Sequence, residues 1–171
     1  MPARLPYITR RMGHPWDDEI AAFIEGCTRH EVRMVMVGGG AVNFHGYQRH
    51  SADVDFWVDC SAENLKRLAT VLEDNGFEDV NFPESVKAGE QNISLKFSPA
   101  ALEVELITRF SSHVTFDEAF TRSEAVEVNG KRFLRWRVLS YEDLIDSKLR
   151  AGRPKDLLDI QELKRRRGGP G

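Results

Sequence analysis

Cysteine is nearly missing: Cys27 and Cys60 are the two present in 171 residues. Two thiols in unlike contexts exclude a disulfide framework and a cysteine-based zinc site, and reduced side chains are the expectation. Long apolar runs are missing too, since nothing approaches the ~20 residues that a membrane-spanning helix needs. The opening stretch, MPARLPYITRRMGHPWDDE, carries positive charge but lacks the apolar centre of a secretory leader. Neither charge sign dominates, with 24 Lys and Arg against 27 Asp and Glu and a net charge of -3. The chain as a whole is therefore no electrostatic match for nucleic acid, although a local patch can be. No internal repeat is present. What remains is 41% hydrophobic residues, the composition of one compact unit with a real core, and a soluble cytoplasmic protein is expected.

The chain alternates helical and strand patterns. Asp17 or Asp18 caps a helix whose Ile20, Ala21, Phe23 and Ile24 fall at helical spacing. Val32 to Val37 reads as a buried strand ended by Gly38 to Gly40, with a short helix over Ala41 to His45 and a polar turn over Gly46 to Ala52. Val54, Phe56 and Val58 alternate with Asp53, Asp55 and Trp57, the period of a strand with two unlike faces. Ser61 caps the next helix, and Asn75-Gly76 stops it. Phe77 to Val80, Ile93 to Phe97 and Leu102 to Thr108 read as strands, and Glu127 to Val138 as a hairpin turned at Asn129-Gly130. Two helices are expected at the end, from Ser140 to Ala151 and from Pro154 to Lys164, followed by a frayed tail from Arg165.

Three glycines followed by an Asp-Val-Asp strand suggest nucleotide chemistry. A strand, a glycine turn and a helix start leave backbone N–H groups open to an anion such as phosphate. Asp53 and Asp55 point the same way from their strand, with alpha carbons about 6.5 to 7 Å apart, so their carboxylates converge on one ion. Without a cation or an open edge the two charges repel. Oxygen ligands alone suit magnesium or manganese. A third carboxylate is available in LEVELIT, where Glu103 and Glu105 share a face and either can serve. Glu105 is preferred because the apolar pair Leu106-Ile107 follows it as a core strand continues.

Gly38-Gly39, His45-Gly46, Arg49 and Asp53-Val54-Asp55 together resemble the signature of the DNA polymerase β type nucleotidyltransferase superfamily. The phrase VGGGAVNFHGYQRHSADVDFWV is most similar to the small bacterial nucleotidyltransferases of the AbiEii toxin group, and YEDLIDSKLRAGRPKDLLDIQEL is similar to their helical segment. The resemblance covers Val35 to Leu163. It implies an α/β (α+β) fold, a mixed sheet flanked by helices, with a catalytic core over residues 1–139 and a helical segment over 140–171 that packs on it and ends in a flexible basic tail. It also implies that Gly38 and Gly39 hold the phosphates of a nucleoside triphosphate, and that Asp53 and Asp55 bind two Mg2+ or Mn2+ ions. Glu105 stands where the family usually has a third carboxylate, most often Asp. Lys148 and Lys155 match positions that meet triphosphate, Asp156 and Asp159 match acidic positions that shape the site, and Arg49 offsets phosphate charge.

The expected activity is transfer of a nucleoside monophosphate from a nucleoside triphosphate to an acceptor hydroxyl. In this reading the protein is the toxin of a toxin-antitoxin pair, with RNA as acceptor and an antitoxin protein as partner. The alternatives are an antibiotic-type transferase with a small-molecule acceptor, and a descendant that binds nucleotide or a partner without turnover. Crowded carboxylates argue against the last. Lys164 to Arg167 slightly favour an RNA contact. His45 reads as a hydrogen-bonded core residue, and Trp57 and Trp136 as packing residues, Trp57 lying on the side of the aspartates.

Overall fold

A computed structural model describes residues 18–49, 53–99 and 102–168. Asp17, the end of the expected polar turn and the last three residues lie outside them. The chain runs through α1 (Asp18–Arg29), β1 (Met34–Val37), α2 (Gly38–Phe44), β2 (Asp53–Val58), α3 (Ala62–Asp74) and α4 (Glu84–Lys87). It continues through β3 (Ile93–Leu95), β4 (Glu103–Ile107), α5 (Phe116–Arg122), β5 (Glu124–Val128), β6 (Lys131–Val138), α6 (Tyr141–Ala151) and α7 (Pro154–Arg167).

The strands form one sheet of six in the order β3-β4-β2-β1-β6-β5. β2 runs antiparallel to β1 and parallel to β4, and β1 runs parallel to β6, so the sheet is mixed. Its alternation follows from the sequence. Val54, Phe56 and Val58 share one buried cluster with Met36, Val104 and Leu106 and with Phe23, Ile24 and Leu68 of the helices. Asp53, Asp55 and Trp57 take the other face. Trp57 packs there on Phe110 and Phe116, at ring-centroid distances of 5.0 and 5.2 Å.

Several boundaries differ from the sequence reading. The strand before the glycines begins at Met34 rather than Val32. Gly38 to Gly40 form the first turn of α2 instead of a loop before it. Phe77 to Val80 is not a strand: Gly76 and Asp79 have φ of 98° and 48°, which breaks an extended run. Phe77 nonetheless packs edge-on against Phe97, at 5.6 Å. β5 starts at Glu124, three residues earlier than the hairpin was expected to start. α5 was not anticipated, although Thr115 accepts from the Glu118 amide and donates to its carboxylate, a cap that T-x-x-E spells out. The last helix runs on to Arg167, so Lys164 to Arg167 sit on a helix rather than a frayed tail.

Capping and stops otherwise follow the chemistry. The Ser61 and Ser140 hydroxyls accept from Asn64 and Asp143 amides, and Gly152 closes α6 at φ 62° two residues before Pro154 opens α7. Asn64, 2% exposed, joins α3 to the sheet. Its Oδ1 accepts from the Arg33 amide at 2.7 Å, and its Nδ2 donates to the carbonyls of Arg33 and Asp59 at 3.0 and 2.7 Å. These backbone groups flank β1 and β2; removing the amide takes the partner from the Arg33 amide and the Asp59 carbonyl, while the Arg33 carbonyl keeps the Asp59 amide at 3.3 Å. Asn64→Ala is expected to destabilise the protein by about 2–4 kcal/mol, seen as a lower urea midpoint with unchanged slope; a loss below half a kcal/mol counts against the clamp.

Candidate active site

β1 ends at Val37, opposite Asp55 in the ladder, and the next residue, Gly38, must turn into α2 against that carboxylate. It does so at φ 63°, and a Cβ there would collide with Asp55 Oδ2 and come within 3.2 Å of its Cγ. Glycine is required twice over, by the backbone conformation and by the space. The glycine and the aspartate are thus parts of one local construction.

The parallel pairing of β2 with β4 sets Asp53 opposite Glu103 and Asp55 opposite Glu105. Four acidic residues therefore share one sheet face. Burial pushes the Asp55 carboxyl up to about 6, and Asp53 and Glu105 push the same way, while Lys155 and Arg49 oppose them. Glu105 is held by the Ser94 hydroxyl, which donates to its Oε2 at 2.5 Å.

These aspartates open on a cavity of about 490 Å³. Gly38, Gly39 and Arg49 line it on one side, and Lys148, Lys155 and Asp156 on another. Ile107, Phe110 and Leu144 supply apolar wall. Glu105 and Asp159, both singled out in the sequence, are not among its lining residues; Glu105 lies beside Asp55 on the next strand. Two basic residues of the cavity, Arg109 and Arg153, were not among those singled out in the sequence. Arg109 was within reach of the strand period, because the alternation Glu103, Glu105, Ile107 continues to it on the same face.

The basic residues divide by burial. Lys148 Nζ lies 2.8 Å from Asp159 Oδ2 and 3.3 Å from Asp156 Oδ1, with the lysine and both carboxylates nearly inaccessible. Arg49 Nε reaches Asp159 Oδ1 at 3.0 Å, and Arg153 Nε reaches Asp156 Oδ2 at 2.6 Å. Burial would raise the Asp156 carboxyl, but its bond to Arg153 and the charge of Lys148 hold it below the usual range. Lys148 is thereby committed to two acids. Lys155 and Arg109 are exposed at the cavity and form no ion pair among the described residues. His45 is a core histidine as its setting suggested: its Nε2 lies 2.7 Å from the Leu139 carbonyl, and burial lowers its basicity.

Residues 17–165 match the profile of a family described as nucleotidyltransferase of unknown function (DUF6036). The chain belongs to this family. The match takes in the glycine turn, the Asp53-Asp55 strand and both C-terminal helices, so every residue of the cavity wall falls within the family's extent. No curated protein matches the chain. No helix among the described residues is long and apolar enough to cross a membrane.

The raised Asp55 carboxyl has a consequence for stability. Its folded value, about 6, exceeds the ordinary carboxyl value of 3.8, so between those two pH values the folded state binds the additional proton and stability falls as pH rises. Above about pH 6 the full penalty is present, on the order of 1–2 kcal/mol after allowance for partial exposure to water. In a chelator, Asp55→Asn is expected to melt higher than the parent at pH 7.5, and this advantage should vanish below about pH 4. Equal melting temperatures at both pH values would contradict a strained carboxylate.

Proposed function

We propose that the protein transfers a nucleoside monophosphate from a nucleoside triphosphate to an acceptor hydroxyl, with Mg2+ or Mn2+ as the ion. One observation carries this reading: the half-buried Asp55, crowded by Asp53 and Glu105, faces a cavity whose rim carries the exposed cations Lys155 and Arg109. Membership of a nucleotidyltransferase family supports the same chemistry.

The residues fit an open ion site. Among the described residues no group of three or more His, Cys, Asp or Glu side chains is placed to hold an ion. Two adjacent carboxylates with phosphate and water oxygens suit magnesium, which keeps several non-protein ligands. Asp53 and Asp55 would hold the ions, with Glu105 adding negative charge from the neighbouring strand beside Asp55. Bound there, a pair of divalent ions supplies acidity for the acceptor hydroxyl and charge compensation for the leaving pyrophosphate.

The chain's own groups have distinct tasks in this reading. Gly38 and Gly39 leave the approach to Asp55 clear of side chains, so a triphosphate can lie close to the backbone. Lys155 and Arg109 bind its β and γ phosphates from the rim. Lys148, with Asp156 and Asp159, positions Arg49 and the helices instead of touching phosphate. The base rests against Phe110 and its apolar neighbours. Acceptor identity follows the sequence resemblance: an RNA hydroxyl, in a toxin restrained by an antitoxin.

Radiolabelled triphosphate with magnesium is the direct test. The parent protein is expected to pass label to total RNA, and Asp53→Asn to lose at least a thousandfold in rate while staying folded; no transfer to RNA, protein or small acceptors would overturn the reading. The two kinds of cation should separate cleanly. Lys155→Ala and Arg109→Ala are expected to shift stability by no more than about 0.5 kcal/mol while weakening triphosphate binding roughly tenfold. Lys148→Ala should instead cost about 3–5 kcal/mol, because it leaves two buried carboxylates short of a partner. Calorimetric binding and thermal melts on the same variants decide between these patterns.

A further inference from the structure

A second, larger cavity of about 680 Å³ lies between the end of α1, α5 and the β5–β6 hairpin, and four arginines line it: Arg33, Arg67, Arg135 and Arg137. Glu31 and Glu127 are its acidic residues. A lining with two more positive than negative side chains stands out in a chain whose net charge is -3. The arginines are not equivalent. Arg33 pairs with Asp59 and Asp117, and Arg67 with Glu63. Arg137 makes no ion pair among the described residues and donates from Nε to Ser123 Oγ at 2.6 Å and from Nη2 to the Ser123 carbonyl at 2.8 Å. Burial lowers its basicity. Arg135 is exposed and makes no ion pair among the described residues, although Glu127 is its cross-strand neighbour.

The cavity also has an aromatic wall. Phe120 lies beneath both Arg137 and Arg33, at 5.1 and 4.9 Å from the guanidinium carbon to the ring centroid, whereas Trp136, 5% exposed, takes the opposite face of β6 from Arg135 and Arg137. Guanidinium groups around an aromatic ring suit the phosphates of a strand and a base stacked beside them. Inorganic phosphate alone would need neither the length nor the ring.

Strand register relates this cavity to the aspartates. Met36 pairs with Val138 and Val37 with Asp55, which puts Arg135 and Arg137 on the same sheet face as Asp53 and Asp55. Arg137 is two strands across and two residues along from Asp55, an alpha-carbon separation of about 12 Å. Phe120 of α5 lines this cavity, and Phe116 of the same helix packs on Trp57, which also touches Phe110 of the aspartate cavity.

We propose that this arginine-lined cavity binds the phosphodiester backbone of single-stranded nucleic acid and leads its end across α5 to the aspartate cavity. Binding of the strand stands by itself; that the strand is the acceptor rests on the transferase reading. The test is fluorescence anisotropy in a chelator at low salt, with a labelled RNA single strand of about 12 nucleotides. Arg135→Glu is the informative variant, because that side chain is exposed, makes no ion pair among the described residues, and its loss leaves the Thr28 bond to its carbonyl in place. The parent and Asp53→Asn are expected to bind alike, Lys155→Ala to bind within twofold of them, and Arg135→Glu to bind at least tenfold more weakly. The salt dependence of Arg135→Glu should also drop by about one ion, or somewhat less. Unchanged binding by Arg135→Glu, no binding by the parent, or equal binding of an acidic peptide would each overturn the proposal. Strand binding through Arg135 without any label transfer would refute the transferase reading alone. Label transfer to a small acceptor without strand binding would refute this proposal alone.

Discussion

Carboxylates two residues apart on a strand repel each other, and this protein adds a third beside them. The register that pairs β2 with β4 cannot relieve that repulsion, since it aligns Asp55 with Glu105. Nor can solvent fully do so, because burial is the largest influence on Asp55. Much of the surrounding construction answers to this one unfavourable charge. Gly38 lacks a side chain where the carboxylate needs room. Lys155 and Arg49 oppose it with positive charge. Folding retains a local cost at Asp55, present whenever its carboxylate is charged.

The C-terminal helices carry the opposite arrangement, a set of charges that is internally satisfied. Asp156 and Asp159 are three residues apart on α7 and face inward together. Lys148 from α6 meets both, and Arg49 reaches Asp159 from the loop after α2. A buried pair of this kind contributes little net stability, because desolvation offsets most of the attraction, but removal of one partner is severe. Its effect here is one of geometry. It fixes α7 to the segment that leads into β2, and so fixes the distance between the rim of the aspartate cavity and its floor.

Much of this architecture was legible in the chain. The Asp-Val-Asp alternation, the caps at Ser61 and Ser140, the hairpin at Asn129-Gly130 and the Gly152–Pro154 break all depend on neighbours in sequence, and all appear where local chemistry puts them. Meeting of the glycines, aspartates and C-terminal lysines at one cavity also follows from their motif positions. What was not legible depends on partners far away. Whether a lysine on an amphipathic helix faces water or two buried acids is decided by the helix it packs against, so Lys148 and Lys155 looked alike in sequence and differ completely in setting. Asn64 gave no signal, since its three partners lie in segments brought together only by the sheet. Phe77 to Val80 had strand composition, but the turn conformations at Gly76 and Asp79 send it along the core instead.

The helical segment after residue 139 is more than an appendage to the sheet. Leu139, fully buried, donates its amide to the Met36 carbonyl at 3.0 Å, so the chain leaves β6 still hydrogen-bonded to β1. Leu144, Ser147 and Lys148 then form one wall of the aspartate cavity, and Lys155 its rim. Without α6 and α7 the acidic face of β2 would be an open surface, where water screens the repulsion of Asp53 and Asp55 and an ion gains little by binding. Covering that face is what makes the carboxylates costly. The same cover gives the cavity its cations, so the elements that create the electrostatic strain also set positive charge beside it.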